Sequence, residues 1–456
     1  MIPEKSAAES SAPPSVVAYT AYSWVHALTS LRLVKPFEYA GITLIHGNEL
    51  ELIYPERVDQ ADVVVIQRDF PVALELYEQI LARAHAQGKP VIYEIDDLLL
   101  DLPAEHPDTA LQYYTPALLP MIRAMIEADL VTVTTPTLAE YIYPFNPHVC
   151  VLPNYLDDQS WKLRPPQEKQ STAPVTIGYM GSNTHQPDLE SITPVLIKLL
   201  ERYEAKIKLH FWGGEPPPAL LSHSNVTWTR LEIYHYAEFA AYFSLQECDI
   251  FIAPLLDTPF NRCKSAIKLL EYSALGAPGV YSHLPPYEAI IKHGQNGFLA
   301  SSLEEWEDCL IQLIEQPGLR FVLAQQAQEV LRENCLLSQH AGYWLDAYRQ
   351  AQKYALDRPA HNTRPVHLAM LIQVANQITA FDQVQRRRIA QAEQTSREYR
   401  EQLQEKERFQ QELLNSTTWR LVQWAWKLRL LLIPLASRRE RWLHTLTNRL
   451  RALFND

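Results

Sequence analysis

Glycine is scarce, with 13 residues in 456. The pattern G-x-G-x-x-G does not occur, which excludes a standard dinucleotide turn, and G-x-x-x-x-G-K-[S/T] is missing too, which excludes a P-loop. Cysteine is sparse and scattered: Cys150, Cys248, Cys263, Cys309 and Cys335 form no C-x-x-C pair. Neither a disulfide framework nor a zinc cluster is indicated, and a reduced, cytoplasmic setting fits. No apolar run approaches the ~20 residues of a membrane span. The longest stretch, Leu428 to Ala436, is interrupted by Pro434. The opening MIPEKSAAESSAPPS has no basic flank followed by an apolar core, so it does not read as a signal peptide. A net charge of −12 argues against a general nucleic-acid binder.

What is present is alternation. "SVVAYTAY", "ADVVVIQRDF", "PVIYEIDD", "ADLVTVTT" and "HVCVLPN" read as strands, with helical patterns such as "PVALELYEQILARAHAQGK" and "PTLAEYIYPF" between them. After a polar, proline-bearing stretch the alternation restarts with "VTIGYMGS", "KIKLHFWGG", "CDIFIAPL" and "PGVYS". Strands buried on both faces and separated by helices predict a parallel sheet covered by helices. The reading is therefore α/β, with two Rossmann-like doubly wound domains. Residues 1–14 are expected to be a disordered tail, 15–160 the first domain, 161–174 a linker and 175–358 the second domain. A helical extension occupies 365–456, with a weak coiled-coil pattern over about 376–415.

Eight of the 13 glycines lie between 175 and 300, most of them after expected strands. Glycine there lets backbone approach a ligand at the carboxyl ends of a sheet. "NRCKSAIKLLEYSALGAPGVYS", from Asn261 to Ser282, sharpens this. Lys264, Lys268 and Glu271 are spaced four and three apart, on one helical face. With Asn261 as N-cap, Lys264 would fall in the first turn, where free N–H groups attract phosphate. Glu271 would sit about 10 Å along, within reach of a ribose. A plain surface helix with charge pairs fits the same spacing.

The stretch from Asp249 to Ala300 resembles the donor-binding half of GT-B glycosyltransferases, specifically the retaining enzymes of glycosyltransferase family four, among them the bacterial group 1 glycosyltransferases. The resemblance rests on Lys268, Glu271, Tyr272, Gly276 and Pro278, then His293, Gly294 and Gly297. "VTIGYMGSNTHQPDLESI" resembles the opening strand and glycine turn of that domain, and Asn154 stands where the family's first domain ends. The resemblance spans roughly 60–350. It implies transfer of a sugar from a nucleotide-sugar donor (UDP-, GDP- or another NDP-sugar) to a glycan or glycolipid, with retention and with no permanently bound cofactor or metal. It implies Gly181, Ser182, Asn261, Lys264, Lys268, Glu271 and Tyr272 as the donor site, with Lys264 and Glu271 carrying catalysis. Two positions depart from the family pattern. Cys263 stands where many members carry a second glutamate, and Asn183, Thr184 and His185 replace a basic residue after the glycine turn. A non-catalytic GT-B scaffold that recruits other enzymes of polysaccharide synthesis is the alternative.

Arg68, Asp96 and Asp97 end expected strands of the first domain and are assigned to the acceptor side; an Arg68–Asp69 ion pair and metal binding by the two aspartates are competing readings. His26, His46 and His185 are further sugar-contact candidates. Residues 416–456 hold eight Lys or Arg against two acids, with Trp419, Trp424, Trp426 and Trp442 among them. That composition suits an interfacial helix on an anionic membrane, and equally a hairpin that packs on protein or forms a homodimer. The expected setting is cytoplasmic, peripheral on the inner membrane face, in cell-surface polysaccharide or lipopolysaccharide synthesis.

Overall fold

The computed structural model describes residues 12–49, 52–168, 174–358, 368–433, 435 and 437–453. Most of the expected N-terminal tail and residues 169–173 of the expected linker lie outside these. By internal contacts the chain divides into Met1–Ile378 and Thr379–Asp456.

The first unit contains two parallel six-stranded sheets. In the first sheet β1 is Ser15–Tyr19, β2 Thr43–His46, β3 Val63–Gln67, β4 Val91–Ile95, β5 Leu130–Val133 and β6 Val149–Val151, in the order β2-β1-β3-β4-β5-β6. In the second, β7 is Val175–Gly181, β8 Ile207–Gly213, β9 Val226–Thr229, β10 Ile250–Ala253, β11 Gly279–Ser282 and β12 Phe298–Ala300, in the order β9-β8-β7-β10-β11-β12. Both are doubly wound. The strand order reverses between β1 and β3 in one sheet and between β7 and β10 in the other, and those carboxyl-end crevices are where such sheets take ligands.

In the first sheet the central strands are buried on both faces and are mostly apolar, with Gln67 and Glu94 as buried polar exceptions. Val17, Val64 and Ile66 enter one core layer of the first domain, and Val16, Val63 and Val65 enter the other. The edge strands β2 and β9 carry no such run. Each has a single neighbour and is partly exposed, so TLIH and VTWT give no apolar signal in sequence.

Helices of seven residues or more are α1 (Leu74–Ala86), α2 (Leu118–Glu127), α3 (Pro136–Ile142), α4 (Gln186–Tyr203), α5 (Tyr236–Phe243), α6 (Ile267–Ala274), α7 (Leu303–Glu315), α8 (Pro317–Asn334), α9 (Gly342–Leu356), α10 (Leu368–Asn415), α11 (Thr417–Leu432) and α12 (Arg438–Leu453). Helix α9 follows the second domain in sequence yet packs on the first sheet. Trp344, Ala347, Tyr348 and Ala351 join Val16, Val65 and Ile92 in one buried cluster, and the Trp344 indole donates to the Arg32 carbonyl at 3.0 Å. The apolar face of α9 thus returns to the first domain, although its sequence lies within the expected second domain. Val374 of α10 is buried against the same domain's other core layer.

Helices α11 and α12 belong to the second unit. Leu421, Trp424, Trp426, Leu431 and Trp442 are exposed there, Trp426 at 54%. No helix among the described residues is long and apolar enough to cross a membrane.

Candidate functional site

The second sheet's reversal point is built around glycine. Strand β7 ends at Gly181, whose carbonyl accepts from the Gly214 N–H at 2.6 Å. Gly213 has φ +88°, and a Cβ there would stand 2.5 Å from the Gly181 oxygen, so only glycine lets the two strand ends meet this closely. Ser182 is exposed beyond the turn, its hydroxyl 2.6 Å from that of Thr184. A short 3₁₀ turn, Asn183–His185, leads directly into the 18-residue α4. The positive end of a long helix dipole therefore faces the glycine turn.

The helix expected from Asn261 is broken in two. A single turn, Pro259–Arg262, is capped by Thr258, whose hydroxyl accepts from the Asn261 N–H at 3.2 Å. Helix α6 starts only at Ile267. Asn261 is therefore not the N-cap, and Lys264 lies in the connection rather than in a first helical turn. The break has a tertiary cause. Phe260 and Cys263 are buried in the first domain's core, and the Thr135 hydroxyl donates to the Cys263 carbonyl at 2.9 Å. Across the bend, the Asn154 amide donates to the Ser265 hydroxyl at 3.0 Å. Burial pushes the Cys263 thiol up to about 12, so Cys263 is an inert packing group.

Lys268 and Glu271 remain together on α6. The Lys268 Nζ lies 3.2 Å from His185 Nε2, and His185 Nδ1 lies 2.9 Å from Asp188 Oδ2. The other Asp188 oxygen accepts from the Asn261 amide and from the Leu256 N–H, each at 2.8 Å. Asn261 is thus a brace for Asp188. Burial, then the charges of Lys268 and Lys264, pull His185 down to about 3, so the ring is neutral. Burial pulls Lys268 down to about 8, with Lys264 adding to the effect. Burial pushes Glu271 up to about 8, against the opposing influence of Lys268 and a 3.3 Å hydrogen bond from the Tyr236 hydroxyl. Two ionisable groups poised near neutrality at a sheet's reversal point mark a functional-site candidate.

Lys264 lies over the Phe260 ring at 4.4 Å and borders a cavity of about 30 Å³ with His106, Thr184, His185 and Asp188. Tyr272 is fully buried, stacked on Phe251 at 4.0 Å, and its hydroxyl meets the Met180 backbone at 3.2 Å. It supports the strand that carries the glycine turn and presents no surface to a donor.

On the opposite domain, Arg68 follows β3 with φ +49°, a strained conformation for a non-glycine residue. Its partner is Asp96, at 2.7 Å, rather than Asp69, and it also donates to the Tyr114 hydroxyl at 2.9 Å. Burial pushes Asp96 up to about 6 against the pull of Arg68. Among the described residues Arg68 Nε and Asp69 Oδ1 are buried without a hydrogen-bond partner. Asp97 is close enough to Lys268 to favour that residue's charge. Of the histidines, His26 accepts from the Leu28 N–H at 3.2 Å and His46 stacks on Trp24 at 4.1 Å. No group of three or more His, Cys, Asp or Glu suited to a metal ion occurs among the described residues.

Sequence reasoning picked out Lys268 and Glu271 but passed over Asp188 and Tyr236. Both lie on other elements, and no local spacing ties them to α6.

Residues 174–316 match the family model described as "Glycosyl transferases group 1". No curated protein matches the sequence. Among solved structures the chain resembles sucrose-phosphate synthase from Thermosynechococcus elongatus, at 13% identity and TM-score 0.52, covering 74% of this chain and 98% of that one. It also resembles HepE of Anabaena in complex with UDP-glucose, at 13% identity and TM-score 0.50, covering 76% and 100%. For TarM the values are 12% and 0.44, with 63% of this chain and 54% of that chain covered, so the protein spans about half the length of TarM. The fold is GT-B: two Rossmann-like domains, the second similar to group 1 glycosyltransferases.

Proposed function

We propose that the protein is a glycosyltransferase that moves a sugar from a nucleoside-diphosphate sugar to a glycan or glycolipid, with retention at the anomeric carbon. The observation that carries this reading is the convergence of Gly181, the α4 N-terminus, Lys268 and Glu271 at one strand-order reversal. The UDP-glucose bound by HepE supports a nucleotide-sugar donor. In this reading the Gly181–Ser182 turn and the helix start hold the diphosphate, Lys264 and Lys268 neutralise it, and the Glu271 carboxylate accepts hydrogen bonds from the ribose. The bond from the anomeric carbon to the diphosphate oxygen breaks while the acceptor oxygen bonds from the same face. The acceptor's proton passes to the departing phosphate. Positive charge and helix N–H groups stabilise the leaving group as its charge develops. Arg68, Asp96 and Asp97 face the acceptor. The exposed tryptophans and basic residues of α11 and α12 hold the enzyme on an anionic cytoplasmic membrane face, where surface-polysaccharide precursors are built.

Calorimetry of the full-length protein against UDP, GDP, ADP, CMP and dTDP, with Glu271→Ala alongside, tests the donor site. One nucleotide should bind saturably, and the substitution should weaken it by roughly tenfold or more, the scale of a hydrogen bond to a charged group. NMR of the product's anomeric proton then decides between retention and inversion. A folded protein that binds none of the nucleotides would favour the scaffold alternative.

A further inference from the structure

Tyr236 opens α5 and lies where three parts of the first unit meet. Its backbone N–H donates to the Val25 carbonyl of the first domain at 3.0 Å. Its hydroxyl accepts from the indole of Trp161, on the segment joining the domains, at 3.1 Å. The same hydroxyl donates to Glu271 Oε1 at 3.3 Å. Trp161, Tyr236 and Glu271 are all buried, at 2%, 4% and 4% exposure. The order of donation is set by chemistry. An indole N–H only donates, a carboxylate only accepts, and the phenol between them must do both. Accepting from Trp161 also polarises the phenol and makes it a better donor to Glu271.

We propose that Tyr236 is a positioning residue for the donor site, aiming the Glu271 carboxylate and favouring its ionised form, and linking it through Trp161 and Val25 to the seating of the first domain. The inference rests on the donor-site reading of Glu271. A buried carboxylate with no donor takes up a proton and becomes a weak acceptor for ribose hydroxyls. The charged or titratable groups facing Glu271 are Lys268 on its own helix, Tyr236 from α5, and Tyr287 from the turn after β11. Among these, the Tyr236 hydroxyl is the group placed to donate to the Glu271 carboxylate from another element. The family spacing that identifies Glu271 carries no trace of it, because Tyr236 precedes Glu271 by 35 residues and belongs to a different helix.

The test is the pH profile of nucleotide affinity in the full-length protein. The nucleotide that binds the wild type best in the five-member panel is titrated from about pH 6 to about pH 10. The wild type should lose affinity at low pH as Glu271 takes a proton, and at high pH as Lys268 loses one. Glu271→Gln should lack the acid limb. Tyr236→Phe, which keeps the ring and removes only the hydroxyl, should move the acid limb up by about one pH unit and leave the alkaline limb in place. Near pH 7.5 this weakens binding by roughly fivefold to tenfold. Trp161→Phe should move the acid limb the same way by less. Circular dichroism and melting of each variant establish that it is folded. If Tyr236→Phe superimposes on the wild type while Glu271→Gln loses the limb, the inference fails and the donor site stands. A loss of affinity equal at every pH assigns Tyr236 a structural role only and also overturns it. If no nucleotide binds the folded wild type, the donor-site reading and this inference fall together.

Discussion

At the scale of single residues, the site shows how burial sets protonation. His185 is ringed by Lys268, Asp188 and the start of α4, and burial with the neighbouring lysines pulls it from its ordinary 6.5 to about 3. Between those two values the unfolded chain binds a proton that the folded chain refuses. Stability attached to His185 is therefore complete above about pH 6.5 and is lost as pH falls toward 3. Glu271 acts in the opposite sense, since its folded value is raised from 4.5 to about 8, and it favours folding as pH falls through that window. The difference between wild type and His185→Gln isolates the histidine. We expect the melting temperature to drop less from pH 7.5 to about pH 5 in the variant, measured by calorimetry. Equal drops would mean that the ring is not held neutral. Lys268 and Glu271 were visible in sequence because both lie on one helical face. The His185–Asp188 pair was half visible: His185 stood out as a departure from the family pattern, but its partners did not.

At the scale of elements, backbone approach and apolar faces do most of the positioning. Gly276, after α6, has φ +72°, and a Cβ there would meet the Arg164 carbonyl at 2.5 Å. The Arg164 N–H in turn donates to the Ala274 carbonyl at 2.8 Å, so the interdomain segment lies directly on the end of α6. Gly276→Ala combines a left-handed backbone with a clash against backbone. It should cost about 1–3 kcal/mol in chemical denaturation, and nucleotide affinity should fall with it because α6 carries Lys268 and Glu271. The sequence announced a turn at Gly-Ala-Pro-Gly without revealing what pressed against it. The break in the helix at Lys264 was equally illegible. Its cause is the docking of Phe260 and Cys263 into another domain's core, and a helical period carries no record of such a partner.

At the scale of the whole molecule, the apolar face of α9 ties a late segment back to the first sheet. Trp344→Ala removes a side chain that is 1% exposed, together with its hydrogen bond to Arg32. We expect a loss of about 3–5 kcal/mol in the unfolding free energy of the first unit, whereas a terminal helix of no structural importance would show almost none. Val374 is buried against the first domain's core, so a cut near residue 365 would expose that core. A cut after Ile378 follows the boundary between the two units. The shortened protein should melt within a few degrees of the full chain and, if α11 and α12 hold the membrane, no longer sediment with anionic vesicles. Undiminished sedimentation would place the membrane contact elsewhere.

The sequence by itself determined what depends on neighbours along the chain. Apolar runs marked the central strands, three-to-four spacing marked the helices, and clustered glycines marked turns at the carboxyl end of the second sheet. It missed β2 and β9, since an edge strand covered on one side has no need of a continuous apolar run. Tertiary structure alone decided which side chains meet. It turned Tyr272 into the core, made Asn261 a brace for Asp188, paired Arg68 with Asp96 rather than Asp69, and set Tyr236 on Glu271. Those pairings join residues tens of positions apart, and their energies arise only once the domains exclude water between them.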